Sequence, residues 1–277
     1  MLMKNHQLFI AIVALCLIVS CGSEETEILG DDGLLHGGTL PPSDELQIVL
    51  IPTPVQAPSV LSLSNCDYNP EIIGKNFLTD HPTTSHQKAI NLGISIVDFS
   101  YSAINKDHAL SNKKLAICME LMGDLGIDIP KDEAFLERIE NNKNDVDSMS
   151  FLILTAFERS TTYFKETDKE ELGISILAGT ALESSLLLAQ ELELDRGKEY
   201  FSFFNQQKQY ATGLQVIMQR YKDLESMQKN FAIAENLEKA FNDFEVWAAS
   251  GDTTIRFDTS KSNLLAEIFL IKENSLN

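Results

Sequence analysis

From about residue 70 onward, hydrophobic positions recur at the three-to-four-residue spacing of amphipathic helices. Thr84-x-x-Gln87 and Thr167-x-x-Glu170 both have the form of a capping box that opens a helix. The spacing predicts about eight helices, at 84–105, 108–125, 132–142, 148–166, 169–193, 198–223, 227–249 and 260–272. Short connections favour antiparallel neighbours, so the expected fold class is all-α, an antiparallel helical bundle or a stack of helical hairpins.

Two predicted helices, 84–105 and 169–193, are apolar on most sides, which is typical of central helices. The second carries an acid, Glu183, within its apolar stretch. Polar residues in the first recur at spacings of four and three, which places them on one stripe: Asn91, Ser95, Asp98, Ser102 and Asn105. Asp98 and Glu183 could face each other and bind a cation or share a proton. A solvated seam, or acids paired with Lys or Arg, are the alternatives.

The segments 92–96 and 172–176 both read Leu-Gly-Ile-Ser-Ile. A duplicated helical hairpin would produce this similarity, and so would the shared composition of two apolar helices. We favour composition, because no third copy is present.

The N-terminus has the pattern of a targeting signal. Lys4 precedes an apolar run over 8–19, which is typical of a secretory signal peptide and too short to span a bilayer. The run ends in Ile18-Val19-Ser20-Cys21, which resembles the lipobox of bacterial lipoproteins; an ordinary signal peptide with a chance cysteine is the alternative. We therefore expect cleavage after residue 20 and a lipid on Cys21, which would tether the protein to a membrane without crossing it.

Residues 21–44 are acidic, rich in glycine and poor in aromatics, so we expect a disordered, flexible tether. From 45 to 277 we expect a single α-helical domain whose first part, 45–65, is an extended arm. The apolar run 47–51 has strand character, and the only other such stretch, 253–257, could pair with it. Ser23-Glu24-Glu25 resembles the surface-export signal of Bacteroidota lipoproteins, so the expected location is the outer membrane, with a periplasmic face as the alternative.

The charge balance limits the partners. The chain of 277 residues has 22 Lys+Arg and 41 Asp+Glu, for a formal net charge of -19. No basic stripe could neutralise phosphates, so nucleic acid is excluded as a partner. The same field repels anionic lipid headgroups. A protein partner in the envelope, or a neutral or cationic ligand, fits the charge better.

The motifs of known chemistry are missing. The sequence has no phosphate-binding loop, no Gly-x-Ser-x-Gly and no His-Glu-x-x-His, so neither a metal nor a cofactor is expected. Cys66 and Cys118 could form a disulfide outside the cytoplasm, although we favour two thiols because Cys118 lies among apolar residues.

Several short segments together resemble an uncharacterised group of helical lipoproteins from Bacteroidota. They are Ala89-Ile90-Asn91-Leu92-Gly93, Asp98-Phe99-Ser100-Tyr101, Leu125-Gly126-Ile127, Arg138-Ile139-Glu140-Asn141 and Asp147-Ser148. The resemblance covers about 50–250. It implies secretion, lipidation and an all-α body, and no established activity. It also marks Asn91, Asp98 and Tyr101, which together with Glu183 make up the candidate polar site.

Two classes of function follow. We favour a non-enzymatic binding or assembly module anchored to the envelope, because no nucleophile, metal cluster or phosphate loop is recognisable. The alternative is a cation-binding protein or hydrolytic enzyme that uses Asp98 and Glu183. The separation of the two acids, and the presence of a cavity between them, would distinguish the classes.

Overall fold

Helices account for nearly all of the backbone that the structure, a computed structural model, describes: residues 51–74, 84–127, 133–193, 198–249 and 254–276. The helices are α1 Gln56–Leu63, α2 Glu71–Gly74, α3 Ser85–Ile104, α4 His108–Asp124, α5 Glu133–Asn142, α6 Val146–Glu166, α7 Glu170–Gln190, α8 Lys198–Met218, α9 Gln228–Ala249 and α10 Thr254–Leu276. Two short 3-10 turns, Gln219–Tyr221 and Glu225–Met227, join α8 to α9. These ranges contain no strand, so the all-α prediction is confirmed.

Predicted helix starts agree with the structure where a side chain caps the helix. Gln87 N donates to Thr84 Oγ1 at 3.2 Å and Thr84 N donates to Gln87 Oε1 at 3.1 Å, which completes the first capping box. Asp145 caps α6 by accepting from Ser148 N at 3.0 Å. The second predicted box is wrong. Thr167 Oγ1 instead donates back to Tyr163 O at 2.8 Å, so this hydroxyl serves the end of α6 and not the start of α7.

The strand expected at 253–257 is also wrong where the structure describes it. Helix α10 begins at Thr254, ahead of the predicted start at Ser260. Phe257 is buried, and its ring lies 6.3 Å from that of Phe244 on α9. Packing on a helical neighbour outweighs the β-propensity of Thr-Thr-Ile, as is common for short apolar runs.

The expected arm is partly helical. Ala57, Val60 and Leu61 are buried at the spacing of one helix face, and they make α1 part of the core. Ile51 is exposed and lies in no strand; the rest of the predicted strand 47–51 lies outside the described residues. The signal peptide 1–20, Cys21 and the tether 21–44 also lie outside them. Contacts group the chain from Gln47 to Asn277 as one unit.

Helices α3 and α7 form the centre of the fold, as their all-round apolar character predicts. They run in the same direction. His86 contacts Ser175, Ile90 contacts Gly179 and Gly93 contacts Thr180, so the contact points advance together along both helices. A Cβ at Gly93 would lie 2.1 Å from Ile176 O, and a Cβ at Gly179 would lie 2.1 Å from Ile90 O. The two backbones therefore touch directly, which only glycine permits.

Helices α3 and α4, which are neighbours in the chain, pack antiparallel, as predicted. Lys88 on α3 pairs with Asp124 on α4 at 2.6 Å, while Asp98, further along α3, pairs with the earlier Lys114. Gly93 lies in the α3–α7 crossing, whereas a Cβ at Gly173 would meet Thr161 O on α6 at 3.6 Å. The glycines of the two similar segments thus occupy different environments, which favours shared composition over duplication.

Candidate functional site

Four charged side chains meet in the core, one from each of four helices. Asp98 of α3 accepts from Lys114 Nζ of α4 at 2.7 Å, and Glu183 of α7 accepts from Lys272 Nζ of α10. None of the four residues is more than 4% exposed. We call this group the ion-pair cluster. Each carboxylate thus forms an ion pair with a lysine ammonium group, as the alternative of acids paired with Lys or Arg predicted.

The two acids also lie beside each other. Burial raises the pKa of Glu183 to about 7, and the negative charge of neighbouring Asp98 adds to that rise, while Lys272 opposes it. One oxygen of each acid, Asp98 Oδ1 and Glu183 Oε1, has no hydrogen-bond partner. Two such acceptors are satisfied when one proton is shared between them. The cluster can therefore hold a proton.

The glycine crossing explains how the sequence brings the acids together. Glu183 follows Gly179 by one helical turn, and Asp98 follows Gly93 by five residues on the parallel helix. Sequence reasoning found both acids from their placement in apolar helices. It did not name Lys114 or Lys272, because each lies in a segment whose charged residues otherwise face water.

The remaining candidates, Asn91 and Tyr101, have separate surroundings. Asn91 is 2% exposed and its Oδ1 has no partner. The hydroxyl of Tyr101 accepts from Asn69 N at 3.0 Å, and its ring lies 5.1 Å from that of Tyr68. Tyr101 thus holds the connection between α1 and α2 against α3. Burial raises the pKa of Tyr101, which suits a neutral structural phenol.

A polar network that the sequence did not reveal lies toward the start of α3 and α7. Ser175 Oγ donates to Glu171 O at 2.9 Å and accepts from Asn230 Nδ2 at 2.8 Å, and His86 Nδ1 lies 3.0 Å from the same oxygen. Ser175 is fully buried, and burial lowers the pKa of His86. A serine whose proton is held by a carbonyl, out of reach of solvent, is not poised as a nucleophile. The network fastens α9 to the central pair.

An apolar cavity of about 100 Å³ lies between α3, α4, α5 and α6. Ordinary core residues form its wall, among them Ile96, Phe99, Met119, Met122, Leu152 and Phe157. Cys118 also lines it, and in the structure Cys66 and Cys118 are not joined by a disulfide. Neither Asp98 nor Glu183 lines this cavity. The cavity and the ion-pair cluster are therefore separate features.

Three polar groups at the cavity are notable for their lack of partners. Arg138 of α5 and Arg159 of α6 are both exposed, and Tyr163 lies one turn beyond Arg159. Within the described parts of the chain, neither guanidinium has an ion pair or hydrogen bond, and the Tyr163 hydroxyl has no hydrogen bond. Two of the five arginines in the chain thus border one apolar cavity.

Comparison with protein-family models, with curated proteins and with solved structures found no match to this chain. Among the described residues, no group of three or more His, Cys, Asp or Glu side chains is arranged to hold a metal. In the same residues one helix, α7, is long and apolar enough to cross a membrane, and its apolar stretch is wholly buried in the fold.

Proposed function

We propose that this protein is a lipid-anchored, non-enzymatic binding module of the bacterial envelope, whose helical body takes up a small apolar ligand. The observation that carries the proposal is the cavity between α3, α4, α5 and α6. It is apolar and bordered by exposed polar groups, which is the usual character of a small-molecule site. A volume of about 100 Å³ is comparable to engineered apolar cavities that stay dry and bind benzene or xenon.

The surroundings of the acids argue against the alternative, a cation site or a hydrolase built on Asp98 and Glu183. A metal cation would have to displace the ammonium groups of Lys114 and Lys272, which already neutralise both carboxylates. A hydrolase would need the acids to line a cavity that admits substrate, and the apolar cavity excludes them. The cluster is better explained as a buried polar contact that fixes four helices in one register.

Anchoring supports the same proposal from the sequence side. A lipid on Cys21, followed by the acidic tether 21–44, would hold the body near a membrane surface while leaving it free to reach a ligand. Small apolar molecules partition into membranes. A tethered body with a dry cavity would therefore stand where such ligands are concentrated.

The proposal is tested with xenon, an apolar probe small enough for a cavity of about 100 Å³, whose binding is followed by the chemical shift of the dissolved gas in nuclear magnetic resonance. We expect saturable binding to the purified protein, lost in Ala156→Phe, because Ala156 lines the cavity and a benzyl side chain would fill it. Ala109→Phe is the matched control, since Ala109 is exposed on α4. Circular dichroism shows whether each variant folds, and Ala156→Leu is the milder substitute. Unchanged binding in folded Ala156→Phe or Ala156→Leu would exclude the cavity as the site.

A further inference from the structure

The apolar cavity is bordered by positively charged side chains, although the residues that form its wall are mostly apolar. A site for purely neutral ligands needs no charge at its border, yet two guanidinium groups and a phenol stand there without partners in the described chain. Arg220, by comparison, pairs with Glu170 at 2.7 Å. Acidic side chains are abundant in a chain with net charge -19, and the two guanidinium groups at the cavity are nevertheless open to an anionic ligand.

We propose that the cavity binds a medium-chain fatty acid or a similar apolar carboxylate, with the tail in the cavity and the carboxylate on Arg138, Arg159 and Tyr163. This inference rests on the proposed function and names its ligand class. Arginine presents a planar fork of donors that matches a carboxylate, and a phenol adds a third donor.

The geometry of α6 supports this division between tail and head. Arg159 and Tyr163 are four residues apart, so they lie on the same face of α6. Leu152 and Ala156 stand earlier on this helix and line the cavity too. Arg138 approaches from α5. The bordering cations therefore come from two helices, and the wall near them is apolar.

The size of the cavity sets the length of the ligand. The enclosed space, about 100 Å³, is smaller than the engineered cavity of about 150 Å³ that holds benzene. Only the end of an alkyl chain fits inside the cavity. The remaining methylenes would lie in the open mouth, between the enclosed space and the arginines. A chain of roughly ten carbons, as in decanoate, joins these two regions without a long unburied portion.

The net charge of the protein does not override the local arginines. Exposed charges more than about 8 Å away are largely screened at physiological ionic strength, whereas a guanidinium in contact with the carboxylate is not. Asp147 is an acid that shares a surface with Arg138, since both line the neighbouring open depression together with Phe151. Asp147 would weaken the attraction at Arg138, so we expect Arg159 to contribute more than Arg138.

The test compares three ligands with the same tail: decanoate, decanol and decyltrimethylammonium, each below its aggregation concentration. Isothermal titration of the purified full-length protein should show decanoate binding at least about ten-fold tighter than decanol, with an advantage that shrinks as salt is raised. The ammonium ligand should bind most weakly. Arg138→Gln with Arg159→Gln should remove the preference for decanoate and leave decanol unchanged. Arg220→Gln, the matched control, should keep it.

Each contrary result has a distinct meaning. Equal binding of decanoate and decanol, or tighter binding of the ammonium ligand, overturns the carboxylate inference and leaves the proposed cavity function standing. A preference for decanoate that survives the double substitution shows that other groups hold the head, which also overturns the inference. If none of the three ligands binds, the proposed function and the ligand class fail together. Circular dichroism of the double variant excludes misfolding as the cause of any loss.

Discussion

The contact between α3 and α7 can be tested by adding one methyl group. In Gly93→Ala the new Cβ would lie 2.1 Å from Ile176 O, 2.8 Å from Thr180 N and 3.0 Å from Ile176 C. All three are backbone atoms of a buried helix, so no side chain can rotate away. The helices would have to separate by roughly 1 Å or more to restore ordinary van der Waals contact.

Two effects of opposite sign determine the outcome. Alanine favours a helix over glycine by about 1 kcal/mol. Overpacking a well-filled core costs about 1–3 kcal/mol and occasionally more, and a clash between two backbones belongs at the upper end of that range. Separating α3 from α7 also loosens the packing around Asp98 and Glu183. We therefore expect a net loss of about 2 kcal/mol or more in the free energy of unfolding, and a similar loss for Gly179→Ala.

Two other glycines supply matched controls. A Cβ at Gly123 on α4 would have no neighbour within 4 Å, so Gly123→Ala should gain the helical preference, about 1 kcal/mol. Gly173→Ala, within α7, would make only ordinary contacts, the nearest at 3.6 Å, and should keep the same helical gain of up to about 1 kcal/mol. The same chemical change would then span about 3 kcal/mol between α4 and the central crossing.

Urea unfolding followed by circular dichroism at 222 nm measures these differences. With a denaturant slope of about 1–3 kcal/mol per molar, the midpoint of Gly93→Ala should fall by on the order of 1 M, with the slope unchanged. If Gly93→Ala unfolds at the same urea concentration as Gly123→Ala, the two central helices do not touch as described, and the placement of the acids loses its support.

Three further predictions concern the anchor and the ion-pair cluster. Cys21→Ala should abolish incorporation of labelled fatty acid and leave an unprocessed or soluble product; continued labelling would refute the lipobox interpretation. The pKa of Glu183 rises from 4.5 to about 7 on folding, so between these pH values the folded state keeps a proton that the unfolded chain releases. The free energy of unfolding of wild type, relative to that of Glu183→Gln, should therefore decrease as pH rises from about 4.5 to about 7. A difference that stays flat or increases would show that the positive charges of Lys272 and Lys114 outweigh the effect of burial. Lys272→Met should cost about 3–5 kcal/mol by leaving Glu183 without its cation, and Lys272→Met combined with Glu183→Leu should recover much of that loss; no recovery in the double variant would contradict this assignment.

The sequence predicted helices well wherever periodicity and a local cap coincided. Thr84 and Asp145 cap their helices through bonds to residues three positions later, which a reader of the sequence can see. The capping box predicted at Thr167 was wrong because this residue lies between the end of α6 and the start of α7. Its hydroxyl bonds the end of α6, and the local spacing of residues does not decide between the two helices. Phe257 failed for a different reason, since its contact with Phe244 on α9 is set by the tertiary fold.

Some residues of the candidate site could be predicted from the sequence and others could not. An acid inside an all-apolar helix is a visible anomaly, so Asp98 and Glu183 could be named in advance. Their partners could not, because Lys272 comes from a helix 89 residues further along and its burial depends on tertiary packing. The cavity was also invisible to sequence reasoning. Residues such as Leu152 and Phe157 line it with the same periodicity as a filled core, and small differences in packing decide whether space remains.

Burial of Glu183 has a further consequence if the chain is anchored beside a bilayer, as we propose. Before the chain folds, the α7 segment is an uncovered apolar stretch of 21 residues, long enough to span a membrane. An acidic residue near the centre of a membrane-spanning helix raises the cost of insertion by about 3 kcal/mol. Glu183 would therefore oppose misinsertion of the unfolded chain, and in the folded protein Lys272 pairs with the same carboxylate. One buried acid thus makes the same apolar segment acceptable as a core helix and unfavourable as a transmembrane helix.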